Sequence, residues 1–516
     1  MVAKTYDYVV VGAGSAGCAV AARLAEDAEV TVLLLEAGGP NTGETLPVPM
    51  AWPSHWGTDV DWSFVTTPQA GTSGGTHAWP RGKVLGGSSS INAMVFLRGH
   101  RANFDTWASN GATGWSYDDV LPYFRRMEHV EGRDPDLRGR GGPLRPAPAV
   151  DRNPLSEAFV AAARDVGYPV TEDFNGRDQE GVGWHDLTIH AGARQSTADA
   201  YLTEVGANLT VLTDAPARRV LVEDGRCIGV EFDHAGRAER ARADREVVVS
   251  AGAIGSPHLL QLSGIGPADH LREVGVDVVL DLPGVGANLH DHPMSGVTYE
   301  AAQPVPPGRN NHAEASALVR SDPSVIEPDL QFMFIHVPFH PPTVASPPNS
   351  YTIGVAVMTP SSRGSVRLVD SDPDTPPAID PNYLGDERDV ERLLVGIARA
   401  RQIGAASAFD PWRRREVLPG SDATSESDLR TFLAVGTSTY YHPVGTCRIG
   451  VDDGAVVGPD LRVHGIDGLR VADASVMPSI VSVNTNPASI MIGEKAADHI
   501  TGVFPSRDAG VRTTAP

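Results

Sequence analysis

Apolar runs at residues 9–11 and 30–35 bracket the hexad Gly12-Ala13-Gly14-Ser15-Ala16-Gly17 and an alanine-rich stretch reaching about Ala25. That order predicts strand, glycine turn, helix and strand, and it constrains the fold more than any other feature of the chain. Gly12 permits a tight turn, Gly14 lets the backbone approach a pyrophosphate, and Gly17 lets the helix lie close to the strand. A helix N-terminus offers free amides to phosphate, so no basic side chain is required there. Glu36 ends the second run, where a carboxylate can accept hydrogen bonds from a ribose diol. Ser15, Ala16 and Ala37 flank these positions and are assigned with them to a dinucleotide site. The acid at Glu36 would repel a 2′-phosphate, which argues against NADP and leaves NAD and FAD open.

The chain has 516 residues, too many for one ordinary domain. Its formal charge is −22, and its lysines are Lys4, Lys83 and Lys495. Such an acidic surface repels phosphate backbones and anionic lipid, so neither nucleic acid nor a membrane is an expected partner. Few lysines also leave little scope for Schiff-base chemistry. Cys18, Cys227 and Cys447 are odd in number and widely spaced, with no disulfide or zinc pattern, as suits a reducing cytoplasm. The apolar N-terminal stretch lacks the basic flank of a signal peptide, and no apolar run is long enough to span a membrane. No metal-ligand spacing is found. Gly71-Thr72-Ser73-Gly74-Gly75 fits a hydrolase pattern without the flanking strand and helix that pattern needs. The sequon at Asn208 lacks a secretory context.

Four further segments stand in order along the chain: RGKVLGGSSSINAM (81–94), EVVVSAGAIGSPHLLQLSGIGP (246–267), YYHPVGTCRIG (440–450) and GLRVADASVMPSIVSVNTNPASIMIGEKAADHI (468–500). Together they resemble the signature segments of the glucose–methanol–choline oxidoreductases, FAD enzymes that oxidise alcohols. The likeness is strongest to the bacterial choline-oxidase and alcohol-oxidase branch. The resemblance implies that Gly86 and Gly87 let the main chain pass over FAD, with Ser88–Ser90 and Asn92 satisfying its polar groups. It sets Asn92, Ala93, Met94 and Val95 along the flavin ring, Asp473, Ala474, Asn484 and Thr485 toward the cofactor, and Ala217 against the adenine. Relatives that bind flavin covalently carry a histidine where this chain has Ile91, so FAD is expected to be non-covalent. Ala93 stands where choline-oxidising relatives place a serine.

The same resemblance makes His442 the base that takes the hydroxyl proton, a task suited to an imidazole near neutral pH. Asn484 would steady the alkoxide by donating a hydrogen bond. Trp62, Glu314 and Tyr441 fall where choline-type relatives build an aromatic and acidic cage for an ammonium group; a solvated surface position is the other reading of Glu314. Phe332, Phe334 and His336 alternate along a strand that either lines the pocket or fills a core. The segment 208–232 reads as a hairpin.

The expected architecture is α/β, with a Rossmann-type FAD-binding domain (1–150, 195–290 and 430–505) interleaved with an α+β substrate domain (150–195 and 290–430). In the latter an antiparallel sheet is covered by helices, and 506–516 form a flexible tail. The expected chemistry is oxidation of a primary alcohol, with dioxygen or another acceptor taking the electrons, in a protein that could form a homodimer. Choline, aliphatic, benzylic or furanic alcohols and polyols stay open as substrates. The rival readings are a redox-silent hydroxynitrile-type lyase of the same fold, a light-driven decarboxylase using Cys447, and an NAD-dependent dehydrogenase argued from the fingerprint alone.

Overall fold

A parallel sheet buried on both faces needs continuous apolar strands rather than alternating ones, and the N-terminal third supplies them. In the computed structural model, which describes residues 4–504, strand β1 (Lys4–Val11) is followed by helix α1 (Ser15–Leu24) and strand β2 (Val32–Leu35). Val9, Val10, Leu33 and Leu34 are fully or almost fully buried. β2 pairs in parallel with β1 and with the strand Leu209–Leu212. On its other side β1 runs parallel to Arg237–Val249, whose end pairs in parallel with Leu469–Val471. The first half of Arg237–Val249 carries an antiparallel extension, Arg226–His234 and then Ala217–Glu223. The hairpin expected over 208–232 is therefore 217–234, and residues 209–212 join the parallel sheet. The tail expected at 506–516 lies outside the described residues.

Glycines set how closely this unit packs. Gly12 has φ +97°, and a Cβ there would stand 2.6 Å from the Ser250 carbonyl oxygen. A Cβ on Gly17 would meet the Gly12 carbonyl oxygen at 1.9 Å, so α1 can lie on its strand only with glycine at that position. The helix Asn486–Thr501 crosses α1 equally tightly, since a Cβ on Gly493 would reach the Ala16 carbonyl oxygen at 2.4 Å.

The second sheet is antiparallel throughout and runs Arg413–Leu418, Pro293–Ala301, Ser350–Val357, Leu330–Ile335, Ala315–Val319, Gly181–Trp184. Alternation along its strands divides two environments. Val297, Phe332, Phe334 and Ile353 face a core completed by Phe159, Leu393 and Ile397 from the helices Pro154–Asp165 and Glu387–Ala405. Met333 and Ile335 face the opposite way, onto a cavity beside the first sheet. Phe332 and Phe334 thus fill a core. Among the described residues no helix is long and apolar enough to cross a membrane.

Candidate active site

One cavity of about 610 Å³ runs from the glycine turn of the first sheet to the face of the second. Gly12, Gly14, Ser15 and Ala16 border one end together with Glu36, Ala37 and Ala217. The Glu36 carboxylate accepts from the Ala13 N–H (3.0 Å) and the Gly38 N–H (2.8 Å), and burial pushes it up to about 7. Ser15 Oγ donates to Asn486 Oδ1 at 2.5 Å, tying the N-termini of α1 and of the helix Asn486–Thr501 together at the cavity wall. Gly14 and Gly87 face each other so closely that a Cβ on Gly87 would stand 2.7 Å from the Gly14 Cα.

Gly87, Ser88, Asn92, Ala93, Met94 and Val95 line the middle of the cavity, with Asp473, Ala474 and Thr485. Two glycines act from behind the wall: Gly17 sets the helix contact, and Gly86, at φ +92°, has no room for a Cβ beside Ser90 Oγ. The serine run divides its labour differently from expectation. Ser88 Oγ accepts from the Gly82 N–H, while Ser89 Oγ bonds Gly86 O and the Thr197 N–H, and Ser90 Oγ donates to Leu85 O. The Ser89 and Ser90 hydroxyls hold their own loop in shape behind the wall, and Ser88 alone of the three lines the cavity. Asn92 Oδ1 accepts from the Met94 N–H and Arg194 Nη1, both at 2.9 Å. Ile91 lines the cavity without a nucleophilic atom. A cradle of close-approach glycines, two helix N-termini and a ribose-directed carboxylate fits a dinucleotide such as FAD.

At the other end two segments lie side by side. Residues 288–294 and 438–445 pair antiparallel, with Pro293 opposite Thr439 and His290 opposite Val444, which sets His292 against His442. His442 Nδ1 lies 2.9 Å from His292 Nδ1, His292 Nε2 lies 3.1 Å from the Met358 carbonyl oxygen, and Asn484 Nδ2 lies 3.1 Å from His442 Nε2. The carbonyl only accepts, so His292 carries its proton on Nε2 and presents a lone pair at Nδ1. His442 must then carry its proton on Nδ1, which leaves Nε2 as a lone pair receiving the Asn484 amide. Burial, then the neighbouring His292 and Arg81, hold His442 well below the usual imidazole range; burial pushes His292 down to about 3. Asp291 fixes the backbone, accepting from the His442 N–H at 2.7 Å and from the Thr439 and Tyr383 hydroxyls. The Tyr440 hydroxyl and the Asn484 side chain are buried next to each other beside the imidazole.

The residues expected to cage a substrate separate in the structure. Tyr441, at φ +66°, sets its ring 5.0 Å from that of Trp56 on the cavity wall. Trp62 borders the cavity but is 40% exposed, stacks on Phe64 and carries Lys83 Nζ 4.9 Å over its ring. Glu314 corrects both readings given to it. It is fully buried yet off the cavity wall, accepting from the Asn153 N–H at 2.8 Å and Asn310 Nδ2 at 2.7 Å, because it fastens the loop before Ala315–Val319 to the start of the helix Pro154–Asp165. His336 is buried against His312, 3.2 Å away, and Cys447 is buried away from the cavity lining.

Sequence reasoning missed His292, Asp291, Arg81, Trp52 and Trp56. The run His290-Asp291-His292-Pro293 was a legible signal, three titratable residues entering a strand. The two tryptophans sit in and after a short 3₁₀ segment, Pro49–His55, whose pattern carries no periodicity.

The GMC oxidoreductase family models match residues 6–294 and 360–493. The oxygen-dependent choline dehydrogenases of Rhizobium etli and Brucella ovis are each 42% identical to this chain, over 97% of it and 96% of their own length. Among solved structures, pyridoxine 4-oxidase from Mesorbium loti superposes with a TM-score of 0.93 at 37% identity, covering 95% of this chain and 98% of that one. Formate oxidase from Aspergillus oryzae superposes with a TM-score of 0.88 at 28% identity, covering 97% and 98%.

Proposed function

The chain belongs to the GMC oxidoreductase family and is an FAD-dependent alcohol oxidoreductase, and from that premise we propose that it oxidises a primary alcohol to the aldehyde with His442 as the base. The observation that carries this reading is the chain of contacts from Met358 O through His292 to His442. It leaves His442 neutral, with the Nε2 lone pair on the cavity side. The alcohol hydroxyl replaces the Asn484 amide at that lone pair and gives up its proton there. The Asn484 N–H, freed from the imidazole, donates to the oxygen as negative charge develops, the preorganised stabilisation that acyl and alkoxide chemistry both exploit. Asp291 keeps the His442 backbone in place while this happens.

Gly12, Gly14, Gly87, Glu36, Asn92 and Asp473 are the residues that would hold FAD, which when bound supplies the two-electron oxidant. With Ile91 at the wall, FAD is held without a covalent bond through that residue. Dioxygen is the electron acceptor we assign, with hydrogen peroxide as the second product, in keeping with the names of the relatives. The test is to mix the yellow protein with primary alcohols without air and then admit air. Loss of the flavin's visible absorbance, followed by its return with peroxide release, is expected. Colour that persists with every alcohol overturns the reading.

A further inference from the structure

The walls around His442 carry enough chemistry to say which alcohol they suit. One side is a continuous run of rings: Phe339 against Trp52 (centroids 6.2 Å apart), Trp52 against Trp56 (5.1 Å), and Trp56 against Tyr441 (5.0 Å), the residue before the base. Trp52 is fixed, its indole N–H donating to Asn311 O at 2.7 Å, and the Asn311 amide is bonded in turn to Ala93 O. Met333 and Ile335 add soft apolar surface. The slot is therefore rigid and aromatic on one side, apolar and adaptable on the other.

Its charge is equally specific. The carboxylates bordering the whole cavity are Glu36, Asp374 and Asp473, and each is engaged away from the rings. Glu36 holds the glycine turn, Asp374 pairs with Arg218, and Asp473 takes the Gly252 N–H, Ser256 Oγ and the Ser475 N–H. Glu314, the carboxylate that could have met an ammonium group, is committed elsewhere. The charge that does adjoin the rings is positive. Arg81 Nη2 donates to the Tyr441 carbonyl at 2.7 Å, and Arg81 makes no ion pair among the described residues. Asp61 and Asp291 offset its field, but their oxygens are occupied by backbone and hydroxyl donors. The face of Trp62, a natural seat for a cation, already carries Lys83. A fixed positive charge entering this end would lose its water and meet Arg81 and Lys83 on the cavity wall with no carboxylate beside the rings to pair with directly, a cost no cation–π contact here offsets.

Resting on the alcohol-oxidising reading above, we infer that the substrate is an uncharged aromatic primary alcohol, of the benzylic or furanic kind, and that choline is not the substrate. The ring of such an alcohol stacks on the Trp52–Trp56–Tyr441 wall with its hydroxymethyl group at His442 Nε2.

The test is anaerobic stopped-flow reduction of the holoenzyme by benzyl alcohol, furfuryl alcohol, 1-butanol and choline. The second-order rate for benzyl or furfuryl alcohol should exceed that for choline on the order of a hundredfold, and that for 1-butanol about tenfold. In Trp56→Ala, whose side chain is only half-buried, the ratio of benzyl alcohol to 1-butanol should fall about tenfold. Reduction by choline, or by 1-butanol, at a rate matching the aromatic alcohols overturns the inference while leaving alcohol oxidation intact. An unchanged ratio in Trp56→Ala overturns the stacking wall. No reduction by any of the four overturns the alcohol-oxidising reading itself.

Discussion

At the scale of single residues the site turns on which nitrogen of His442 carries the proton. That choice is made through His292, by the Met358 carbonyl, which can only accept, and it leaves a neutral imidazole with its Nε2 lone pair toward Asn484. Burial lowers His442 further, so the base stays ready below the ordinary histidine range. The acid limb of kcat/KM should therefore lie below about pH 6.5, as a rate profile on the best alcohol checks; a limb above that value would mean that another group takes the proton. Asn484→Ala removes the amide that donates to His442 Nε2 while leaving the His292–His442 contact in place. It should slow flavin reduction by about 10²–10³, with little change in the flavin spectrum. His442 and Asn484 were legible because each stands in a signature segment. His292 and Asp291 stood in a visible run of titratable residues, but their partner was not visible, because it depends on a strand pairing between residues 150 positions apart.

Elements decide whether the cofactor cradle can form at all. The glycine turn and its two strands were readable from the sequence, since apolar continuity and glycine spacing each report a local requirement. The crossing of α1 by the helix Asn486–Thr501 was not readable, because it joins chain ends and is recorded only in the absence of a side chain at Gly493. Gly17→Ala would press a methyl group into the Gly12 carbonyl oxygen and push α1 off its strand. The purified variant should be folded by circular dichroism but largely colourless. A full complement of flavin in that variant would show that helix position is not what admits the cofactor. The aromatic slot also belongs to this scale: Trp52 and Trp56 come from the segment at and after Pro49–His55, Phe339 and Tyr441 from distant loops, and no single stretch announces them. Glu314 shows the reverse failure, since a local match to a cage residue could not reveal that its oxygens were already spoken for.

Across the whole molecule, burial governs the response to acid. Twelve of the seventeen histidines are held below the ordinary imidazole range, with burial the leading cause for each. Below about pH 6.5 the unfolded chain takes up protons that the folded chain refuses, so stability is greatest above that value and falls as pH falls. Glu36 and Glu327, pushed up to about 7 by burial, act in the opposite sense, as do Asp186, Asp291, Asp473 and Asp498, raised by the same cause, but these six carboxyls are outnumbered by the twelve imidazoles. The urea midpoint should drop steadily between about pH 7 and pH 5, and a flat midpoint would contradict the neutral burial of these histidines. The same burial isolates the proposed catalytic pair, so the most direct measurement is the anaerobic rate of flavin reduction by benzyl alcohol in His442→Gln, compared with the native protein at equal flavin content. A fall of about 10²–10⁴ with FAD still bound is the expected result; a rate within about tenfold of native would show that His442 is not the base.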